Sequence, residues 1–219
     1  MWIKICGTTN REDALAAVNA GANAVGFVFA PSPRRITPEQ AREIASGLPG
    51  SVEKVGVFVN EAAERVCEVA EQVGLTAVQL QGDEQQDVIT SIKRFRGDLR
   101  VFKGLSIPKL MKESEWMIAF PKELDAYLLD SGSEDQRGGT GRSFDWSVTS
   151  QFFARLGMHT RLIVAGGLNA ENVAEAIRLF RPYGVDVCSG TEASPGKKDH
   201  AKVRAFVNAV RACEKTAVT

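Results

Sequence analysis

Residues 1–29, MWIKICGTTNREDALAAVNAGANAVGFVF, form one complete strand–helix–strand unit, and its repetition along the chain decides the fold. The apolar run from Met1 to Ile5 ends at Cys6, and Gly7, Thr8, Thr9 and Asn10 then lead into a helix. Asn10 is placed to cap that helix, with Asp13 three residues on as an acidic capping-box partner. Ala14, Leu15, Ala17 and Val18 recur at helical spacing and predict its buried face. Ala24-Val25-Gly26-Phe27-Val28-Phe29 reads as the second strand.

The same alternation continues outward. Thr37 and Pro38 open a helix through Ile44, as a cap followed by proline at the first turn should. Further strands are predicted at 54–59, 76–80, 100–103, 126–129, 161–165 and 185–187. Helices are predicted over 61–73, up to Ile92, over 107–118, after Asp145, and over 170–180 and 200–213. Eight strand–helix units without a linker predict a (β/α)8 barrel with a closed parallel sheet, one domain over residues 1–213. Residues 214–219 then read as a short C-terminal tail. A doubly wound open sheet is the alternative, but it rarely uses eight units of such even length, and the first loop has no G-x-G-x-x-G turn.

With 44% hydrophobic and 25% charged residues, the chain can bury a substantial core. Lys plus Arg and Asp plus Glu number 27 each, and this balance points away from a nucleic-acid partner. Cys6, Cys67, Cys188 and Cys213 are scattered with no CxxC pair, so they read as free thiols in a reducing compartment. Two histidines, His159 and His200, make a His/Cys metal site improbable, and no cofactor is expected. The first residues lack the pattern of a signal peptide, and no apolar run suits a membrane span. A cytoplasmic protein is the expectation.

On such a barrel the chemistry sits where the strands end. Strand one ends in Cys6, strand six in Asp130, strand seven in Gly166-Gly167 and strand eight in Cys188-Ser189-Gly190. Glycine turns after the two closing strands let backbone amides approach phosphate oxygens, although glycines also simply make tight turns. Gly138-Gly139-Thr140-Gly141 is a further glycine-rich loop, after strand six. Asp130 leaves an apolar strand at the pocket mouth, where partial burial would help its carboxyl hold a proton and act as an acid. Asp186 lies within strand eight and needs a structural partner or a ligand. Arg34 and Arg35 follow prolines in a stiff loop, a mount for a guanidinium that binds a carboxylate or phosphate. Spacing leaves open which of the two faces the pocket. One Cys and one Asp on separate strands suggest a base and an acid acting on a phosphorylated small molecule.

The chain also resembles the phosphoribosylanthranilate isomerases. The matching runs begin with Lys4-Ile5-Cys6-Gly7-Thr8-Thr9-Asn10, Gly26-Phe27-Val28-Phe29, Ser32-Pro33-Arg34-Arg35 and Val55-Gly56-Val57-Phe58-Val59-Asn60. They continue through Val78-Gln79-Leu80, Leu128-Leu129-Asp130-Ser131, Phe144-Asp145-Trp146, Ala165-Gly166-Gly167-Leu168, Val185-Asp186-Val187 and Pro195-Gly196-Lys197-Lys198-Asp199. The resemblance implies a cofactor-free aldose–ketose isomerase, monomer or homodimer, with Cys6 as general base and Asp130 as general acid. It implies that Arg35 holds the anthranilate carboxylate, and that Gln81, Asp186, Gly166, Gly167, Ser189 and Gly190 bind the rest of the substrate. Two positions depart from the family pattern: Gln81 stands where many members carry His, and Cys188 where Ser is usual. A competing synthase would want a strand-end lysine, for which Lys4 or Lys103 would serve, together with a glutamate that is not found. An epimerase would want metal ligands, and a non-catalytic phosphosugar-binding protein would not need Cys6 and Asp130 together.

Overall fold

The computed structural model describes residues 1–106, 123–130 and 161–216. Eight parallel strands close into a barrel in chain order. They are β1 (Trp2–Ile5), β2 (Ala24–Val28), β3 (Glu53–Phe58), β4 (Ala77–Leu80), β5 (Arg100–Ser106), β6 (Ala126–Asp130), β7 (Arg161–Val164) and β8 (Gly184–Val187). β8 pairs back onto β1 with Lys4 opposite Asp186. The described helices are α1 (Arg11–Ala20), α2 (Pro38–Ser46), α3 (Ala63–Val73), α4 (Gln86–Phe95), α5 (Val173–Phe180) and α6 (His200–Thr216). The predicted (β/α)8 barrel is the fold. The helices expected over 107–118 and after Asp145, the Gly138–Gly141 loop and His159 lie outside the described residues.

Successive side chains of a strand point to opposite faces, so each strand sorts its residues between two cores. Ile3, Ile5, Val25 and Phe27 face outward and pack with Ala14, Ala17, Val203 and Phe206 of the surrounding helices. Trp2, Ala24, Val55, Ala77, Phe102 and Ile163 face inward and fill one end of the barrel. There the Trp2 ring meets Phe102 edge-on at 5.7 Å, and its indole N–H donates to Glu53 at 2.7 Å. Two residues further along the strands the inward positions turn polar: Lys4, Gln79 and Asp186 are buried charged or amide groups. A sealed apolar floor beneath a polar layer directs the chemistry to the opposite, C-terminal mouth.

Local signals set the helix ends. Asn10 Oδ1 accepts from the Asp13 amide at 2.8 Å, and Thr37 and Gln40 form a reciprocal capping box with Pro38 at the first turn. α5 begins at Val173, three residues later than the helical pattern suggests. Asn169 and Asn172 instead bond each other's backbone amides, and Asn172 Nδ2 donates to the Gly167 carbonyl at 2.9 Å. Such short polar side chains compete with helical hydrogen bonding. α6 continues to Thr216, past the expected boundary at Cys213, because Glu214 is tied to the Met1 amino group and to Arg211. A two-stranded antiparallel ribbon, β9 (Glu192–Ser194) with β10 (Lys197–Lys198), follows β8 and has no counterpart in the sequence reading. No described helix is long and apolar enough to cross a membrane.

Candidate active site

Cys6 leaves β1 buried, packed with Val28 and Val57 and beside Cys188. The β1–β8 register, Ile5 opposite Val187, carries on so that Cys6 and Cys188 lie side by side at the mouth. The neighbouring Cys188 thiol is the largest influence bringing the Cys6 pKa down to about 7. Burial opposes this, the Lys4 ammonium and more weakly Lys198 favour it, and the Asp186 carboxylate resists it. Cys188, half-buried beside Cys6 and with its Sγ 3.8 Å from Glu192 Oε1, is pushed well above the ordinary thiol range, first by its interaction with Cys6 and then by burial. Cys6 is therefore the thiol that carries charge near neutrality.

Space for Cys6 comes from a glycine on the next strand. A Cβ on Gly26 would lie 2.7 Å from Cys6 Sγ and 2.9 Å from Lys4 Cε, closer than real contacts allow. Gly104 on β5 does the same for Gln81, whose amide would collide with any side chain there.

A continuous hydrogen-bonded row crosses the barrel beneath this mouth. Lys4, fully buried, donates from Nζ to Asp186 Oδ2 and to Gln79 Oε1, both at 2.8 Å. Gln79 Nε2 donates to Gln81 Oε1 at 2.7 Å, and Gln81 Nε2 donates to Asp130 Oδ2 at 3.2 Å. Burial works against the charge on Lys4, but Asp186 and Cys6 outweigh it and raise the ammonium above its ordinary value. Asp186 Oδ1 is buried with no hydrogen-bond partner among the described residues. The structure thus brings Cys6, Gln81, Asp130 and Asp186 together.

The two closing loops stand beside them. Gly166 and Gly167 both take positive φ, 80° and 68°, conformations that only glycine adopts without strain. Gly190 packs so closely on the Leu168 carbonyl that a side chain there would overlap it. Among the described residues, no acceptor pairs with the backbone amides of Gly166, Gly167, Ser189 or Gly190. Four amides on two interlocked turns suit an anion.

The arginines are separated by their partners. Arg34 is buried in a two-pronged pair with Glu192, Nε to Oε1 at 2.8 Å and Nη2 to Oε2 at 2.7 Å. Glu192 also receives Lys198 Nζ at 3.2 Å, which fixes the β9–β10 ribbon against β2. Arg35 is exposed and has no ion-pair partner among the described residues. It lines a cavity of about 260 Å³ with Phe29, Thr37, Phe58 and Arg65. Phe29 and Phe58 belong to the outward-facing core, so this cavity lies on the barrel's flank, apart from Cys6 and Asp130.

The family described as N-(5'phosphoribosyl)anthranilate (PRA) isomerase matches residues 3–209. The chain belongs to that family. An N-(5'-phosphoribosyl)anthranilate isomerase of Pseudomonas fluorescens is 48% identical over 210 residues, covering 95% of this chain and 97% of the relative. The crystal structure of the isomerase from Thermotoga maritima superposes with a TM-score of 0.82 at 42% identity, covering 97% and 99% of the two chains. A crystal structure of a family member in complex with reduced 1-(o-carboxyphenylamino)-1-deoxyribulose 5-phosphate superposes with a TM-score of 0.79, also at 42% identity and with the same coverage.

Within this isomerase family scaffold, sequence reading missed three parts of the site. Gln79 reads in the sequence only as part of a run matching the family, with no role given, yet it lies two residues before Gln81 on the same strand face, the period-two signal that exposes it. Lys4 stands in the same relation to Cys6. The Arg34–Glu192–Lys198 cluster joins residues 158 and 6 positions apart, which local spacing cannot show.

Proposed function

We propose that this chain rearranges N-(5'-phosphoribosyl)anthranilate to 1-(2-carboxyphenylamino)-1-deoxyribulose 5-phosphate, a step of tryptophan biosynthesis, with Cys6 as base and Asp130 as acid. The observation that carries this reading is the convergence at the barrel mouth of a low-pKa thiol beside the Lys4 ammonium and a buried carboxyl at the end of the hydrogen-bonded row that Lys4 begins. Family membership and the ligand held by the related structure support the same substrate.

Asp130 protonates the ribose ring oxygen and the C1–O bond breaks, leaving an open-chain Schiff base. The Cys6 thiolate then takes the proton from C2, and the C–H electrons form the C1–C2 double bond of an enolamine. Movement of the enol proton to C1 gives the ketose. Asp130 has lost one proton and Cys6 has gained one, so returning it restores the enzyme, and no redox partner is consumed. Each positioned proton transfer contributes about 10²–10⁴-fold. The amides of Gly166, Gly167, Ser189 and Gly190 receive the phosphate, and Asp186 Oδ1 accepts a sugar hydroxyl; Arg35, in its flank cavity, is not brought to the carboxylate position that the family pattern implied. A phosphorylated substrate, retained inside cells by its charge, supports a cytoplasmic location.

The test is turnover of freshly generated phosphoribosylanthranilate, followed by loss of anthranilate-type fluorescence beside a no-protein control. Enzyme-dependent formation of the deoxyribulose phosphate, identified by mass, supports the reading. Well-folded protein that gives no acceleration over spontaneous hydrolysis contradicts it.

A further inference from the structure

Lys4 and Gln79 have no place in the proton transfers just described, yet both are buried at the centre of the barrel. An ammonium has three donors and no acceptor, whereas an amide can face either way. Lys4 therefore fixes the direction of everything downstream. Because Nζ donates to Gln79 Oε1, the Gln79 NH2 must point to Gln81, the Gln81 carbonyl must receive it, and the Gln81 NH2 must point to Asp130.

We propose that Lys4 and Gln79 are positioning residues of the isomerisation, a donor-only anchor and an amide coupler that through Gln81 orient the Asp130 carboxyl while the same ammonium faces Cys6. The proposal rests on the assignment of Cys6 and Asp130 above. Its consequence is specific. Oδ2 of Asp130 receives the Gln81 N–H, which fixes the orientation of the carboxyl toward the mouth. One buried cation then serves both proton-transferring groups.

The frame around the row is stiff, as such a role requires. The Gln81 amide donates to the Phe58 carbonyl at 2.8 Å, and the loop after it is clamped by Lys103, which donates to the Gly82 carbonyl at 2.7 Å and pairs with Glu84 at 3.0 Å. Glu84 Oε1 in turn receives the Asn60 amide at 2.7 Å. Around Cys6 the facing groups are Lys4 from β1, Asp186 and Cys188 from β8 and its end, Arg34 from the loop after β2, and Lys198 from β10. Of these, Lys4 and, through it, Asp186 are hydrogen-bonded into the row that reaches Asp130.

Gln79 is the residue to change, because its removal leaves the Lys4–Asp186 pair intact. Gln79→Leu should lower kcat by about tenfold or more, with KM within about twofold, since the loss falls on the transition state. Combining it with Gln81→Leu should cost no more than either change alone, the signature of groups acting as one unit. Gln79→Glu is isosteric and can still pair with Lys4 but has no hydrogen to give Gln81, so it should lose kcat in the same way. This variant keeps the test open if Gln79→Leu folds poorly. A Gln79→Leu or Gln79→Glu protein with wild-type kcat overturns the proposal. So do losses that multiply in the double variant with a raised KM, which would place Gln81 on the substrate independently of Gln79. Cys6→Ala and Asp130→Asn run alongside separate the two failures. If either stays active, the acid–base assignment itself falls; if both are dead while the Gln79 variants are normal, only the positioning role falls.

Discussion

Lys4 and Asp186 face each other across β1 and β8 in a 2.8 Å ion pair whose lysine end is wholly out of solvent. A buried pair of this kind contributes little net stability, because desolvation offsets the attraction, but breaking it leaves an uncompensated charge. Lys4→Met is expected to destabilise the fold by about 3 kcal/mol or more, measured by urea unfolding. The double change Lys4→Met with Asp186→Leu should recover most of that stability and still be slow. Full activity in the double variant would show that the pair serves only the fold.

The thiol chemistry has a defined sign. Cys6 is an acid whose pKa is lowered to about 7, so its reactive form is lost as pH falls through that value. By simple titration the thiolate is about half populated at pH 7 and about a tenth at pH 6. Alkylation of Cys6 by iodoacetamide should therefore rise with a midpoint near 7 and outpace Cys67 and Cys188, both of which burial helps push up. Cys188→Ser keeps a hydrogen-bond donor and should preserve that midpoint, whereas Cys188→Ala should move it upward. A midpoint at the ordinary thiol value, indifferent to Cys188→Ala, would refute the role given to Cys188.

Gly26 is a space-making residue, and the cost of filling its space can be measured. Gly26→Ala drives a methyl into Cys6 and Lys4, and overpacking of this kind typically costs about 1–3 kcal/mol. Thermal unfolding should shift down, and kcat should fall further than stability alone explains, because the two displaced side chains are those the chemistry needs. Unchanged kcat with lowered stability would place Cys6 outside the reaction.

Neighbouring arginines should behave oppositely. Arg34→Ala removes one of two cations from buried Glu192 and should cost about 2–3 kcal/mol, somewhat less than a fully broken buried pair because Lys198 remains. Arg35→Ala, on the surface, should change stability by no more than about 0.5 kcal/mol. Equal effects of the two changes on unfolding would contradict this difference.

The barrel was legible in the sequence because parallel strands and amphipathic helices each leave a periodic trace. The strands ending at Cys6 and Asp130, and the strand that carries Asp186, could be placed from that trace alone. The choice between Arg34 and Arg35 could not, since it depends on Glu192, which the chain brings in from 158 residues away. Asp186 was seen to need a partner, but Lys4 was read only as a candidate for a different enzyme's chemistry. What joins them is the closure of β8 onto β1, a contact between the two ends of the barrel that no local pattern carries. The β9–β10 ribbon was missed because two- and three-residue strands are too short to show alternation.

The most direct test of the central claim is single-turnover conversion of phosphoribosylanthranilate by the wild-type protein, Cys6→Ala and Asp130→Asn, each checked for native fold and with product identified. The account predicts that wild-type protein forms the deoxyribulose phosphate and that each variant is slower by about 10²-fold or more. Conversion by either variant at close to the wild-type rate would contradict it.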